Sequence, residues 1–232
     1  MSPHPSGTAL ATADAVLLDM DGTLVNSEKS VVACWDRLFA ELGSDAVYEE
    51  SFHGQPARSL LRRVFPEMSE ADLEAAYATV ERYEIETADS VEVLPGTREF
   101  LADLEAASSE LGREVWTIVT SCTRRLFTAR YAHHGLPIPD TLVTADQVTH
   151  GKPNPEPYLR GAERLGVSAD QCIVAEDAVP GLEAGLASGA FTLGVTTTSD
   201  AEAIEALADV RVGSLADVSV RVEDGRLALV VR

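Results

Sequence analysis

"LLDMDGTLV", residues 17–25, completes an apolar run, AVLLD (15–19), on two aspartates two positions apart, Asp19 and Asp21. A run of Val and Leu without two-residue alternation reads as a parallel strand buried on both faces. Gly22 lets the chain turn sharply just beyond it. Positions i and i+2 of a strand share a face, so both carboxylates point to one pocket at the strand's C-terminal end. No basic residue stands near them in the sequence to neutralise the pair. A divalent cation would relieve their repulsion, and hard oxygen ligands favour Mg²⁺. A like-charge pair can also keep one carboxyl protonated as a general acid. The plain alternative makes Asp21-Gly22 a turn and Asp19 a cap.

Outward from this stretch, VWTIVT (115–120), CIVA (172–175), FTLGVT (191–196) and VRV (210–212) are further short apolar runs. Helical patterns lie between the later ones: Phe100, Leu101, Leu104 and Leu111 before Gly112; Leu126, Phe127 and Tyr131 before Gly135; Tyr158, Leu159, Ala162 and Leu165 before Gly166. Each glycine is a helix stop. The alternation predicts an α/β fold with a Rossmann-like doubly wound parallel sheet. The terminal VSVRVEDGRLALVVR alternates on both sides of Glu-Asp-Gly, which predicts an antiparallel β-hairpin added at the sheet edge.

The alternation breaks between Asn26 and Glu92, where every pattern is helical. Val31, Trp35, Leu38, Phe39 and Leu42 form a stripe ending at Gly43; Leu60, Leu61, Val64 and Phe65 form a second; Ser69 caps a third helix carrying Leu73, Tyr77 and Val80. An all-α insertion leaving after the first strand and returning at VEVLPG (91–96) belongs over the C-terminal edge of the sheet, where open α/β folds bind ligands. The predicted organisation is a flexible tail over 1–13, an α/β core domain of 14–25 and 93–232, and a helical cap domain over 26–92.

Length and charge bound the function. A chain of 232 residues buries about 70% of its unfolded surface around a real core. With 38 acidic against 18 basic residues its net charge is −20, which argues against nucleic acid or an anionic membrane as partner and also serves solubility. Cys34, Cys122 and Cys172 form no metal-ligand spacing and leave an odd count, pointing to a reduced, cytoplasmic compartment. The N-terminal MSPHPSGTALATA lacks both a basic start and a long apolar stretch, and no run is apolar enough to span a membrane.

Other strand ends carry polar side chains to the same edge. TIVTSCT ends in Thr120 and Ser121, hydroxyls suited to an anionic oxygen or to capping the next helix. HGKPNPEPYL sets Lys152 in a loop stiffened by prolines at 153, 155 and 157, either as a pre-positioned ammonium or as a surface lysine. IVAEDAVPGLEAG finishes a strand on a second acidic pair, Glu176 and Asp177. Four carboxylates, one lysine and two hydroxyls are thus expected at one sheet edge.

Asp19-Met20-Asp21-Gly22-Thr23, Thr120, Lys152 before Pro153, and Glu176-Asp177 resemble the four ordered motifs of the haloacid dehalogenase (HAD) superfamily of phosphatases, and the helical insertion resembles a C1-type cap. The resemblance spans about Ala13 to Asp217. It implies that Asp19 is the nucleophile, forming an aspartyl-phosphate, and that Asp21 protonates the leaving alkoxide and then activates water. It implies Mg²⁺ held by Asp19, the backbone carbonyl of Asp21 and Asp177, with Glu176 direct or through water. Lys152, Thr120 and the amides near Met20 and Ser121 would hold the phosphoryl oxygens. The dehalogenase branch lacks the second aspartate and uses no metal, while Thr23 stands where β-phosphoglucomutase-like mutases often carry Val.

Within the insertion, FHGQPARSLL resembles the substrate-specificity loop of capped sugar phosphatases, which implies substrate contacts by His53, Gly54, Gln55 and Arg58; Arg58 is also spaced with Arg62 as a solvated stripe. VEVLPG and VTSCTRRL are similar to the group that includes glycerol-phosphate and 2-deoxyglucose-6-phosphate phosphatases. The resulting expectation is a Mg²⁺-dependent phosphatase of a small sugar or polyol phosphate, monomeric or weakly dimeric. A hexose-phosphate mutase and a non-catalytic phosphometabolite sensor are the alternatives.

Overall fold

Strands without a wet face must be covered on both sides, and the computed structural model, which describes residues 6–49, 52, 55–131 and 133–232, covers them with helices. The chain begins with β1 (Ala9–Ala13) and β2 (Ala15–Leu18), followed by β3 (Val25–Asn26) and β4 (Glu92–Val93) at the two ends of the helical insertion. The central sheet adds β5 (Trp116–Ile118), β6 (Cys172–Glu176), β7 (Phe191–Val195) and β8 (Val210–Val212). Its order is β5-β2-β6-β7-β8, with all pairings parallel. From β2 the chain moves out to β5 on one side and then to β6 on the other. The strand order therefore reverses at the C-terminal end of β2, the place where such sheets open a crevice.

Alternate residues of β2 feed two cores. Val16 and Leu18 pack with Phe100, Leu101 and Leu104 of α4 (Thr97–Leu111) and with Phe127 and Tyr131 of α5 (Arg124–Tyr131). Ala15 and Leu17 pack with Tyr158 and Ala162 of α6 (Glu156–Leu165) and with Ala184 of α7 (Val179–Ser188). α4 and α6 stop before Gly112 and Gly166, the predicted helix ends. Leu159 departs from its predicted face and is 46% exposed, because adjacent helical residues lie about 100° apart and Tyr158 takes the inward position.

The predicted tail over 1–13 is corrected for its second half. Ala9–Ala13 is a strand, paired antiparallel with β10 (Arg226–Val231). Alanine has little strand preference of its own, so what orders this segment is the open edge that β10 offers from the far end of the chain. The hairpin of β9 (Val218–Glu223) and β10 forms as predicted, turning at Asp224 and Gly225, both at positive φ. It does not extend the parallel sheet. It makes a separate sheet in the order β1-β10-β9, whose apolar residues Val218, Val220, Leu227 and Leu229 join the α4 core. Laying that face on α4 buries more apolar surface than edge pairing with β8 could.

β3 and β4 pair antiparallel as a short neck. Between them α1 (Glu28–Glu41), α2 (Ala57–Val64) and α3 (Glu70–Glu86) bury a cluster of their own, including Trp35, Phe39, Leu60, Leu61, Leu73 and Val80. Ser69 caps α3 by accepting from the Asp72 amide at 3.2 Å. Leu42 lies just past the last turn of α1 and is 40% exposed. α8 (Ala201–Leu207) completes the helices; among the described residues none is long and apolar enough to cross a membrane.

Candidate active site

Parallel pairing brings three neighbouring strands to the same level, so their first residues beyond the apolar run converge. Asp19 follows β2, with its amide bonded to Ala175 of β6 at 3.0 Å. Glu176 closes β6, Asp177 follows it, and Thr120 lies two residues past β5. The loop before α6 delivers Lys152, which is 2% exposed and so not a surface lysine. Its Nζ donates to Asp19 Oδ1 at 2.6 Å, Glu176 Oε1 at 2.6 Å and the Val119 carbonyl at 2.9 Å. All three ammonium protons are thereby used.

Burial raises the Asp19 carboxyl well above the usual range, and Glu176 adds to this while Lys152 opposes it. Burial and Glu176 push Asp177 up to about 7. Burial works against the charge on Lys152, yet Asp19 and Glu176 hold its pKa above that of an ordinary lysine. Ligand atoms of Asp19, Glu176 and Asp177 lie within 4.8 Å of one another. Three buried carboxylates against one ammonium leave a deficit of positive charge, and the donor set is all hard oxygen. The residues present therefore fit a divalent cation such as Mg²⁺.

Asp177 is held by Thr23, whose Oγ1 donates to Oδ1 at 3.1 Å, and by the Thr198 hydroxyl on Oδ2. Thr198 was not among the predicted site residues. It lies three residues past β7 in a run of threonines, at a strand end as Thr120 is after β5. Gly22 has φ +87°, and a Cβ there would stand 2.0 Å from Asp177 Oδ2. Gly22→Ala should therefore destabilise the protein by about 2 kcal/mol or more, a drop of several degrees in Tm. A thermal melt unchanged from the parent would mean that Asp177 swings aside freely.

Asp21 lines the same cleft as the other three carboxylates, but its side chain stands outside the close cluster that Asp19, Glu176 and Asp177 form. Its Oδ1 accepts from Ser27 Oγ at 2.6 Å and from Arg130 Nη1 at 2.8 Å, and its Oδ2 accepts from Cys122 Sγ at 3.0 Å. Arg130 is 3% exposed and also lies 3.6 Å from Glu84 of α3. The aspartates are not short of basic partners after all. Each has a buried cation supplied from more than a hundred residues away, Lys152 for Asp19 and Arg130 for Asp21. Arg130 was missed, although it lies three and four positions beyond Phe127 and Leu126 and so shares their buried face.

Thr120 is buried and its Oγ1 accepts from the Cys122 amide at 3.1 Å, beside Ser121 at the floor of a cleft between sheet and insertion. The Met20 side chain is wholly buried in the core, which leaves only its backbone to serve the site. Gln55 lines the cleft with Trp35, Tyr48, Tyr77 and Glu81. Arg58 is paired with Glu74 of α3 and stacks 5.2 Å over the Tyr77 ring, as Arg62 pairs with Glu70. It lines a neighbouring opening near Ser121 and Lys152. The predicted His53 and Gly54 lie outside the described residues.

A doubly wound sheet with acids, an ammonium and a hydroxyl at its switch point, beneath a helical insertion, is the arrangement of an α/β enzyme whose site opens at the sheet crevice. The family described as haloacid dehalogenase-like hydrolase matches residues 16–195, and the chain belongs to that family. It is 35% identical over 205 residues to hexitol phosphatase A of Escherichia coli (strain K12), covering 88% of this chain and 92% of that protein. It is 31% identical over 224 residues to 2-deoxyglucose-6-phosphate phosphatase 1 of Saccharomyces cerevisiae (strain ATCC 204508 / S288c), covering 90% and 91%. A solved hydrolase from Pseudomonas syringae shares the fold with a TM-score of 0.77 at 24% identity, over 88% of this chain and 95% of that one.

Proposed function

We propose that the protein is a Mg²⁺-dependent phosphatase that hydrolyses a small sugar or polyol phosphate monoester through an aspartyl-phosphate. The observation that carries this reading is the 2.6 Å contact of Lys152 with Asp19 Oδ1 at the switch point, which fixes the carboxylate and leaves its second oxygen for phosphorus. Asp19 attacks phosphorus as the bond to the ester oxygen breaks, and Asp21 gives that oxygen a proton. Asp21 then takes a proton from water, which attacks the aspartyl-phosphate and frees Asp19 and phosphate. Thr120 and the amides at Met20 and Ser121 hold phosphoryl oxygens. Asp19, Asp177 and the Asp21 backbone carbonyl would hold Mg²⁺, which when bound offsets charge on the phosphoryl group.

The insertion over 26–92 acts as the cap on a core of 14–25 and 93–232. It encloses the organic end of the ester against Trp35, Tyr48, Tyr77 and Gln55 and excludes water during transfer. Relatives named for hexitol and 2-deoxyglucose-6-phosphate phosphatase activity support a polyol or sugar leaving group. Three free, buried cysteines suit a reducing cytoplasm, and we take the protein as a monomer or weak dimer that engages a phosphorylated metabolite.

A panel of phosphorylated metabolites tests the reading: with Mg²⁺, free phosphate should come fastest from hexitol or hexose phosphates, and chelation should stop it. No release from any ester refutes it, and an isomerised ester without free phosphate would mark a mutase. Metal can also be read without turnover. The unfolded chain releases the Asp177 proton near its ordinary value of 3.8, whereas the metal-free fold keeps it to about 7. The fold then binds more protons than the unfolded chain, so metal-free stability falls as pH rises through that window. Mg²⁺ favours the carboxylate, so it should raise Tm more at pH 8 than at pH 5.

A further inference from the structure

The phosphatase reading leaves open what Glu176 does, and its surroundings answer. A carboxylate offers about four lone-pair positions. Oε1 of Glu176 accepts from Lys152 Nζ at 2.6 Å and from the Tyr158 hydroxyl at 2.6 Å. Oε2 accepts from the Asp177 amide at 3.1 Å and, more weakly, from the Ala178 amide at 3.4 Å. Helix α7 packs against the carboxylate as well: a Cβ on Gly181 would stand 1.9 Å from Oε1, so only glycine lets α7 approach this closely. Glu176 is 1% exposed and Tyr158 is fully buried.

Tyr158 touches the lysine as well. Lys152 Nζ lies 4.9 Å from the centre of its ring, a cation–π contact between two buried groups. Burial and Glu176 raise the phenol pKa well above its ordinary value, so the hydroxyl stays protonated as a donor. Resting on the proposed Mg²⁺-dependent phosphatase, we propose that Tyr158 and Glu176 form a cage that positions Lys152 on Asp19, and that Glu176 belongs to this cage and not to the inner coordination of the cation. Tyr158 is then a positioning residue. Its hydroxyl fixes Glu176, Glu176 fixes the ammonium, and the ammonium fixes Asp19 Oδ1. The cation is left with Asp19 and Asp177 as side-chain ligands.

The full chain tests this with Mn²⁺ as a spectroscopic probe, its binding measured by electron paramagnetic resonance in the absence of ester, beside kcat and KM on the best ester with saturating Mg²⁺. Asp177→Asn removes a side-chain ligand and should weaken Mn²⁺ binding by more than the roughly 10–100-fold that loss of a supporting group costs. Glu176→Gln and Tyr158→Phe should weaken Mn²⁺ binding clearly less than Asp177→Asn does, while Tyr158→Phe lowers kcat by about tenfold with little change in KM. Tyr158→Phe keeps the ring and carries the test alone should Glu176→Gln not fold. Loss of Mn²⁺ affinity in Glu176→Gln or Tyr158→Phe equal to that in Asp177→Asn would make Glu176 a ligand and overturn the proposal. Parental kcat in Tyr158→Phe would reduce its hydroxyl to a packing group, again overturning it. If the parent binds no Mn²⁺, the metal reading fails and this inference falls with it; if it binds Mn²⁺ and cleaves esters, only the inference is at stake.

Discussion

Asp19→Asn should fold normally and turn over no ester, with kcat at least about 10⁴-fold below the parent, the scale seen when a nucleophile is removed. The amide keeps the shape of the carboxylate but cannot form a stable bond to phosphorus. Stability should change little, because burial already works against the charge at this position and Lys152 retains Glu176 as an anionic partner. Two measurements check this: phosphate release by the variant, and mass spectrometry of acid-quenched parent for a phosphoryl group on the peptide that contains Asp19. Ordinary turnover by the variant would end the covalent mechanism.

Lys152→Ala is the second large effect, and it should act on both stability and rate. Removing the ammonium leaves Asp19, Glu176 and Asp177 buried together with no cation from the protein. Stranding buried charge in this way costs about 3–5 kcal/mol, although protonation of Asp177, already pushed up to about 7, absorbs part of it. Added Mg²⁺ should restore much of the lost Tm. It should not restore kcat, which should fall by about 10²–10³-fold because no ammonium offsets charge on the transferring phosphoryl group. Lys152→Arg should fare little better: the cage admits a compact ammonium with three short contacts, not a planar fork. Parental kcat in Lys152→Ala would remove the lysine from the chemistry.

Asp19, Thr120, Lys152 and the Glu176-Asp177 pair were legible as site candidates because their signals are local. An apolar run buried on both faces ends where polar residues begin, and in a parallel sheet all such ends lie on one edge. The helical insertion was legible for a similar reason, since its stripes repeat within one turn of helix. What sequence could not supply was partnership. Arg130 meets Asp21 across 109 positions, Tyr158 meets Glu176 across 18, Thr198 meets Asp177 across 21, and β1 pairs with a strand at the other end of the chain. Arg58 shows the same limit, since its spacing allowed a role in the cleft or a solvated stripe and only the packing of α2 on α3 put it on Glu74. Residue type and periodicity state which face of an element is buried. Which charge stands opposite depends on how distant elements pack, and that choice, made by burial and pairing across the whole fold, gave Asp19 and Asp21 different cations within one cleft.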